Sequence, residues 1–164
     1  MIKNLYIFDV DGTILNTPLP EEGKAKWSEH YGKPYPHRGW WGRPESLDPE
    51  VFKVDAVPGI KASYLLAKSD KEGKVIMLTS RLPELKDLLL YHLEQNNFTF
   101  DEYKFKYGRN EKPDVVDQLL NKYPDVNYVE IWDDRDKEIL LYKAWTPIRN
   151  IQLKINQVFN GRST

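Results

Sequence analysis

The stretch that decides the fold is Leu5-Tyr6-Ile7-Phe8-Asp9-Val10-Asp11-Gly12-Thr13, an apolar run that ends in two carboxylates one residue apart and then a Gly-Thr turn. Residues two apart on a strand point to the same face, so strand geometry carried to its end projects Asp9 and Asp11 together. There they can hold a cation or attack an electrophile. A short, solidly apolar run fits a strand covered on both faces, as in a parallel sheet.

The rest of the chain repeats this pattern. Further strands are expected at 74–78, 103–107, 128–132 and 151–155, and helical periodicity covers 60–71, 84–95, 114–122 and 137–144. Alternating strands and helices specify an α/β fold built on a parallel sheet. Residues 16–57 break the rhythm: five of the eleven prolines fall between Thr17 and Pro44, together with Trp27, Trp40 and Trp41. Linkers are poor in tryptophan, so the stretch reads as an insertion after the first strand, folded over the carboxyl end of the sheet. Packing is the default reading for Trp40 and Trp41.

The 164 residues fit one domain with a single core. A net charge of −1 provides no global attraction for nucleic acid or an anionic membrane, so such binding must use a local patch. The absence of cysteine excludes thiolate metal sites and cysteine nucleophiles. With no signal-peptide pattern and no apolar run near the ~20 residues of a membrane span, a cytoplasmic protein is expected.

In open α/β sheets ligands bind beyond the carboxyl ends of the strands, where strand order reverses. Four segments of phosphate-handling residues are expected there: Asp9 and Asp11; Thr79-Ser80-Arg81; Lys112 before a Pro-started helix; and Asp133-Asp134-Arg135. Asp9 is the candidate nucleophile on phosphorus and Asp11 the candidate acid and base. Gly12 frees the turn. Thr79, or the hydroxyl and backbone amides near it, can hold a phosphoryl oxygen, with Ser80 the better helix cap. Lys112 supplies compact positive charge and Arg81 a planar fork. Hard oxygen ligands favour Mg²⁺, which Asp9 and an acid from Asp133-Asp134 suffice to hold.

Each segment also has a plain reading: a charged turn, a cap, a solvated lysine, or surface ion pairs for Arg81 and Arg135. The run Tyr103-Lys104-Phe105-Lys106-Tyr107-Gly108-Arg109 can track a nucleic acid backbone and stack its bases, or be a half-exposed strand. His30, His37 and His92 share no metal-ligand spacing. Glu138 is an extra acidic candidate one helical turn from Asp134.

Taken in order, Asp9-Val10-Asp11-Gly12-Thr13, Thr79, Lys112 and Asp133-Asp134 resemble the four motifs of the haloacid dehalogenase (HAD) superfamily of Mg²⁺-dependent phosphatases. The resemblance implies a three-layer, Rossmann-like α/β fold with a central, mainly parallel five-stranded sheet and a small cap insertion at 16–57. It implies Asp9, Asp11, Thr79 and Lys112 as catalytic residues. Asp9, Asp11, Asp134 and Asp133 would form the metal site, and Gly12, Thr13, Ser80, Arg81 and Arg135 the substrate site.

A narrower likeness lies in Thr79-Ser80-Arg81, Lys112-Pro113-Asp114-Val115-Val116 and Trp132-Asp133-Asp134-Arg135, joined in the insertion by Asn16 to Pro20, Trp27 and Gly39-Trp40-Trp41. These are similar to the phosphatase domain of polynucleotide kinase/phosphatases and to the Swiss Army Knife RNA repair-like group, which implies a phosphatase for a nucleic acid 3′ end. In place of the His that often follows Asp-Asp-Arg in that group, this chain carries Asp136-Lys137-Glu138. The alternatives are a phosphatase of free nucleotides or another small phosphorylated metabolite, a phosphotransferase, and a nucleic-acid- or protein-binding module with an idle site. No Gly-x-x-x-x-Gly-Lys-Ser/Thr loop is present, so no fused P-loop kinase activity is expected, and a separate kinase or ligase partner stays open.

Overall fold

A computed structural model of the chain describes residues 1–106 and 108–162. Five strands alternate with helices: β1 (Asn4–Phe8), β2 (Gly73–Thr79), β3 (Glu102–Phe105), β4 (Tyr128–Asp133) and β5 (Gln152–Gln157), with α1 (Pro20–Tyr31), α2 (Ile60–Lys68), α3 (Lys86–Gln95), α4 (Lys112–Lys122) and α5 (Asp136–Ala144). All paired strands run parallel in the order β3-β2-β1-β4-β5. The sheet is thus a Rossmann-like α/β layer. From β1 the chain winds outward through β2 to β3, then returns to β4 on the other side, so strand order reverses beside β1. The carboxyl ends of β1 and β4 flank that reversal.

The period-2 alternation of each strand divides the core. Leu5, Ile7, Ile76, Leu78, Val129 and Ile131 pack with Val116, Leu119 and Leu120 of α4 and Tyr142 of α5. Phe8, Val75, Met77 and Trp132 face the opposite layer, with Tyr64 of α2 and Leu89 and Leu93 of α3. Phe8 and Trp132 stack with ring centroids 4.2 Å apart. The central strands read as continuous apolar runs because both faces are covered. Edge strand β5 instead leaves Gln152 and Lys154 exposed and the rest half-buried, and Lys104 and Lys154 lie on the two edges, where charge discourages pairing with another chain.

Several element boundaries differ from the sequence expectations. A 3₁₀ turn at Pro83–Leu85 precedes α3, because Pro83 fixes φ and cannot donate to the ladder. Its N-cap is Leu82, so Ser80 does not cap it. β3 ends at Phe105, and Tyr107 of the expected strand lies outside the described residues. Helix α4 begins at Lys112, earlier than the periodicity indicated; Glu111 and Asp114 form a reciprocal capping box that extends it.

Residues 16–57 hold α1 and a 3₁₀ turn at Pro44–Leu47. They send Trp40, Leu47, Phe52, Val54 and Val57 into the same apolar cluster as Phe8 and Met77. Trp40 is buried, with its indole Nε1 donating to Pro18 O at 2.9 Å. No described helix is long and apolar enough to cross a membrane.

Candidate active site

Strand ends bring the polar residues to one place. Asp9 follows β1, and its backbone N–H still donates to Trp132 O at 3.0 Å, so the strand pairing continues to the acid itself. Gly12 then turns the chain at φ +76°, and a Cβ built there would lie 2.3 Å from Asp134 Oδ2. Only glycine tolerates both that conformation and that approach. The turn folds Thr13 back, so that its Oγ1 lies 2.9 Å from Asp9 Oδ2 and 3.4 Å from Asp134 Oδ1.

Lys112 is buried at the first residue of α4 with its Nζ 2.9 Å from Asp9 Oδ1 and 2.7 Å from Asp133 Oδ2. Burial alone would lower its pKa, but the two carboxylates push it well above the ordinary lysine value. Asp133 is oriented by the Arg135 N–H, which donates to Oδ1 at 3.1 Å. Burial raises Asp133 even against the pull of Lys112.

Asp9, Asp133 and Asp134 each place a carboxylate oxygen within 4.8 Å of the others, and all three are buried. Burial, with the charge of Asp133, raises Asp9 to about 6. Burial, with the charge of Asp9, raises Asp134 to about 7. Lys112 therefore leaves negative charge unmet. Three converging hard oxygens with that surplus suit a small divalent cation.

Asp11 points elsewhere. Its carboxylate takes the Arg81 fork, with Nη2 to Oδ1 at 2.8 Å and Nε to Oδ2 at 3.0 Å, and accepts from Thr17 Oγ1 at 2.7 Å. Burial would raise its pKa, yet Arg81 and Thr17 hold it below the ordinary carboxylate value. Arg81 is itself buried; Nη1 donates to Trp41 O and to Ser46 Oγ, and its guanidinium lies 5.1 Å from the Trp41 ring centre. Among the expected metal-site residues, Asp9, Asp133 and Asp134 form one group, while the Asp11 side chain belongs to an ion pair with Arg81.

Thr79 is buried at the end of β2, where its Oγ1 accepts from the Arg81 N–H at 3.1 Å. A cavity of about 530 Å³ opens over these residues and is lined by Asp9, Asp11, Thr79, Ser80, Lys112, Asp134 and Arg135, with Arg81 and Trp41 at its wall. Glu138 is buried and lies outside the carboxylate group. His92 is also buried and pairs its Nε2 with Leu47 O at 2.7 Å.

Sequence reasoning did not single out Asn160 and Arg162. The Asn160 Nδ2 donates to Gly12 O and lies 3.4 Å from Asp134 Oδ2. Arg162 lines the cavity and donates to Asn16 Oδ1 at 3.1 Å. Both follow β5 in a polar stretch without periodicity, and no local signal marks them.

No protein-family model matches the chain. The uncharacterized protein YMR265C of Saccharomyces cerevisiae is 26% identical over 178 aligned residues, which cover 88% of this chain and 37% of the yeast protein. A chain of the Pnkp1/Rnl/Hen1 complex superposes with a TM-score of 0.60 at 14% identity, covering 99% of this chain and 48% of that one. A HAD-superfamily hydrolase from Geobacter sulfurreducens, subfamily IA, superposes with a TM-score of 0.51 at 15% identity, covering 87% and 83%. The chain has the HAD fold. It spans well under half the length of the yeast relative and about half that of the Pnkp1 complex chain. In the HAD fold of this chain, the two acids after β1 and the acid pair at the end of β4 flank the reversal of strand order.

Proposed function

We propose that the protein is a Mg²⁺-dependent phosphomonoesterase that works through an aspartyl-phosphate on Asp9. The observation that carries the reading is the setting of Asp9: a buried carboxylate held by Lys112 and Thr13, grouped with Asp133 and Asp134, at the floor of an open cavity. An Asp9 carboxylate oxygen attacks phosphorus and forms a P–O bond while the bond to the leaving oxygen breaks. Water then attacks the acyl phosphate, releasing inorganic phosphate and restoring the carboxylate.

Asp133 and Asp134 would hold the cation with Asp9, and Mg²⁺ bound there would offset repulsion between the anionic nucleophile and the phosphoryl oxygens. Lys112 holds Asp9 in place and adds fixed positive charge beside the developing phosphoryl charge. Thr79, Ser80, Gly12 and Thr13 supply hydroxyl and backbone donors, and Arg135 a cation at the rim. Asp11, kept ionised by Arg81, is suited to take a proton from the attacking water. To protonate the leaving oxygen it must first leave the Arg81 fork and take up a proton from solvent as substrate enters; once that proton is given to the leaving oxygen, the carboxylate is free to accept one from the attacking water.

We infer a polynucleotide 3′-phosphate, of RNA or DNA, as the substrate. Support comes from the Thr79-Ser80-Arg81 and Asp133-Asp134-Arg135 segments, and from the likeness to the Pnkp1 complex, one structure of which is named as an RNA repair complex and matches with a TM-score of 0.57 at 16% identity. A separate kinase or ligase would then act on the same ends. The test is Mg²⁺-dependent phosphate release from a 3′-phosphorylated oligonucleotide beside free mononucleotides. A preference for the strand end of at least about tenfold in kcat/KM is expected; equal or better release from mononucleotides would assign the enzyme to small metabolites.

A further inference from the structure

A second cavity, of about 350 Å³, adjoins the first, and the two share Leu19 and Arg162 in their walls. Its charged lining residues are Lys26, Lys53 and Arg162 against Glu22 and Asp55, so cations are in excess although Lys26 already pairs with Glu22 at 3.1 Å. The wall between the cavities is built. Asn160 places Nδ2 on Gly12 O, while its Oδ1 accepts from the Arg162 N–H at 2.8 Å, and Arg162 in turn donates to Asn16 Oδ1. This strap of residues following β5 lays one guanidinium across the boundary of the two cavities.

We infer that the second cavity is a subsite for a second phosphate of the substrate, with Arg162 and Lys53 as its cations and Asn160 as the positioning residue for Arg162. The inference rests on the phosphatase reading, with the phosphate to be removed seated over Asp9. A guanidinium reached from both cavities can stay on one phosphate while the next occupies the neighbouring space. Lys53 reaches only the second cavity, so its contribution is separable from the chemistry at Asp9. The second phosphate can be the phosphodiester of a strand or the 5′-phosphate of a nucleotide bisphosphate, and the probes below separate these.

The test is calorimetric binding with Mg²⁺ to the full chain carrying Asp9→Asn, which prevents turnover. The probes are a nucleoside 3′-monophosphate, a nucleoside 3′,5′-bisphosphate and a dinucleotide ending in a 3′-phosphate. At least one two-phosphate probe binds about tenfold tighter than the monophosphate. Adding Lys53→Ala removes most of that gain and leaves monophosphate affinity within about twofold, while Asn160→Ala weakens the two-phosphate probes as Arg162→Ala does. A gain confined to the dinucleotide identifies a strand; a gain shared with the bisphosphate identifies a phosphate alone. Equal affinity for all three probes, or an equal loss on all three from Lys53→Ala, overturns the subsite. Failure of the unmutated chain to release phosphate from any monoester overturns the phosphatase reading instead, and leaves the binding result to judge the subsite.

Discussion

Asp9 and Asp134 are carboxylates whose pKa values are raised from 3.8 to about 6 and about 7, in each case by burial first, and then by the charge of Asp133 on Asp9 and the charge of Asp9 on Asp134. A folded-state pKa above the unfolded value means that the folded chain binds these protons more tightly. Their contribution to stability is therefore fully present below the unfolded value and is lost as pH rises through 6 and 7. A divalent cation held by the ionised group reverses that loss. The Tm gain from saturating Mg²⁺ should be large at pH 7.5 and shrink steadily toward pH 5; a gain independent of pH would contradict the assignment of these acids to the cation. Gly12 makes a second prediction at this scale. Gly12→Ala meets Asp134 at 2.3 Å in a left-handed backbone and should cost about 1–3 kcal/mol in urea unfolding. It should also lower activity, through displacement of the acid.

Arg81, just beyond β2, holds Asp11 and at the same time binds Trp41 O and Ser46 Oγ of residues 16–57, so one guanidinium ties the ends of β1 and β2 to that segment. Breaking a buried ion pair by removing one partner leaves an uncompensated charge, so Arg81→Met should destabilise by about 3–5 kcal/mol in chemical denaturation, and Arg81→Lys should restore only part of it because a lysine cannot reproduce the fork. Helix α1 offers a sharper test. An interior Gly→Ala change in a helix ordinarily stabilises by about 1 kcal/mol. A Cβ at Gly23 would instead lie 2.1 Å from the buried Trp40 ring. Gly23→Ala should therefore destabilise the chain, and a stabilised variant would show that this helix does not rest on Trp40.

Much of the whole molecule was legible in the sequence. The alternation of apolar runs with helical periodicity specified an α/β sheet, and a strand buried on both faces announces itself by its unbroken apolar run, as β1 and β2 do. Topology then carried Asp9, Thr79, Lys112 and Asp133-Asp134 to one crevice, since each ends a strand or starts a helix on the same side of the sheet. What stayed hidden were the contacts that depend on long-range packing. The pairing of Arg81 with Asp11 spans seventy residues, and Asn160 reaches Gly12 from beyond the last strand. Neither leaves a local pattern, because a single side chain crossing between distant segments has no periodicity to read. Helix α3 starts at Lys86, later than the periodicity over 84–95 predicts, for a local reason, the 3₁₀ turn imposed by Pro83.

In the proposed mechanism Asp9 is the nucleophile. The most direct measurement compares phosphate release from a 3′-phosphorylated oligonucleotide by the wild-type chain and by Asp9→Asn, with Mg²⁺ and with circular dichroism as the check on folding. The account predicts a fall of at least about a thousandfold in kcat for a variant with an unchanged spectrum. A folded Asp9→Asn protein that keeps activity within about tenfold of wild type would contradict it.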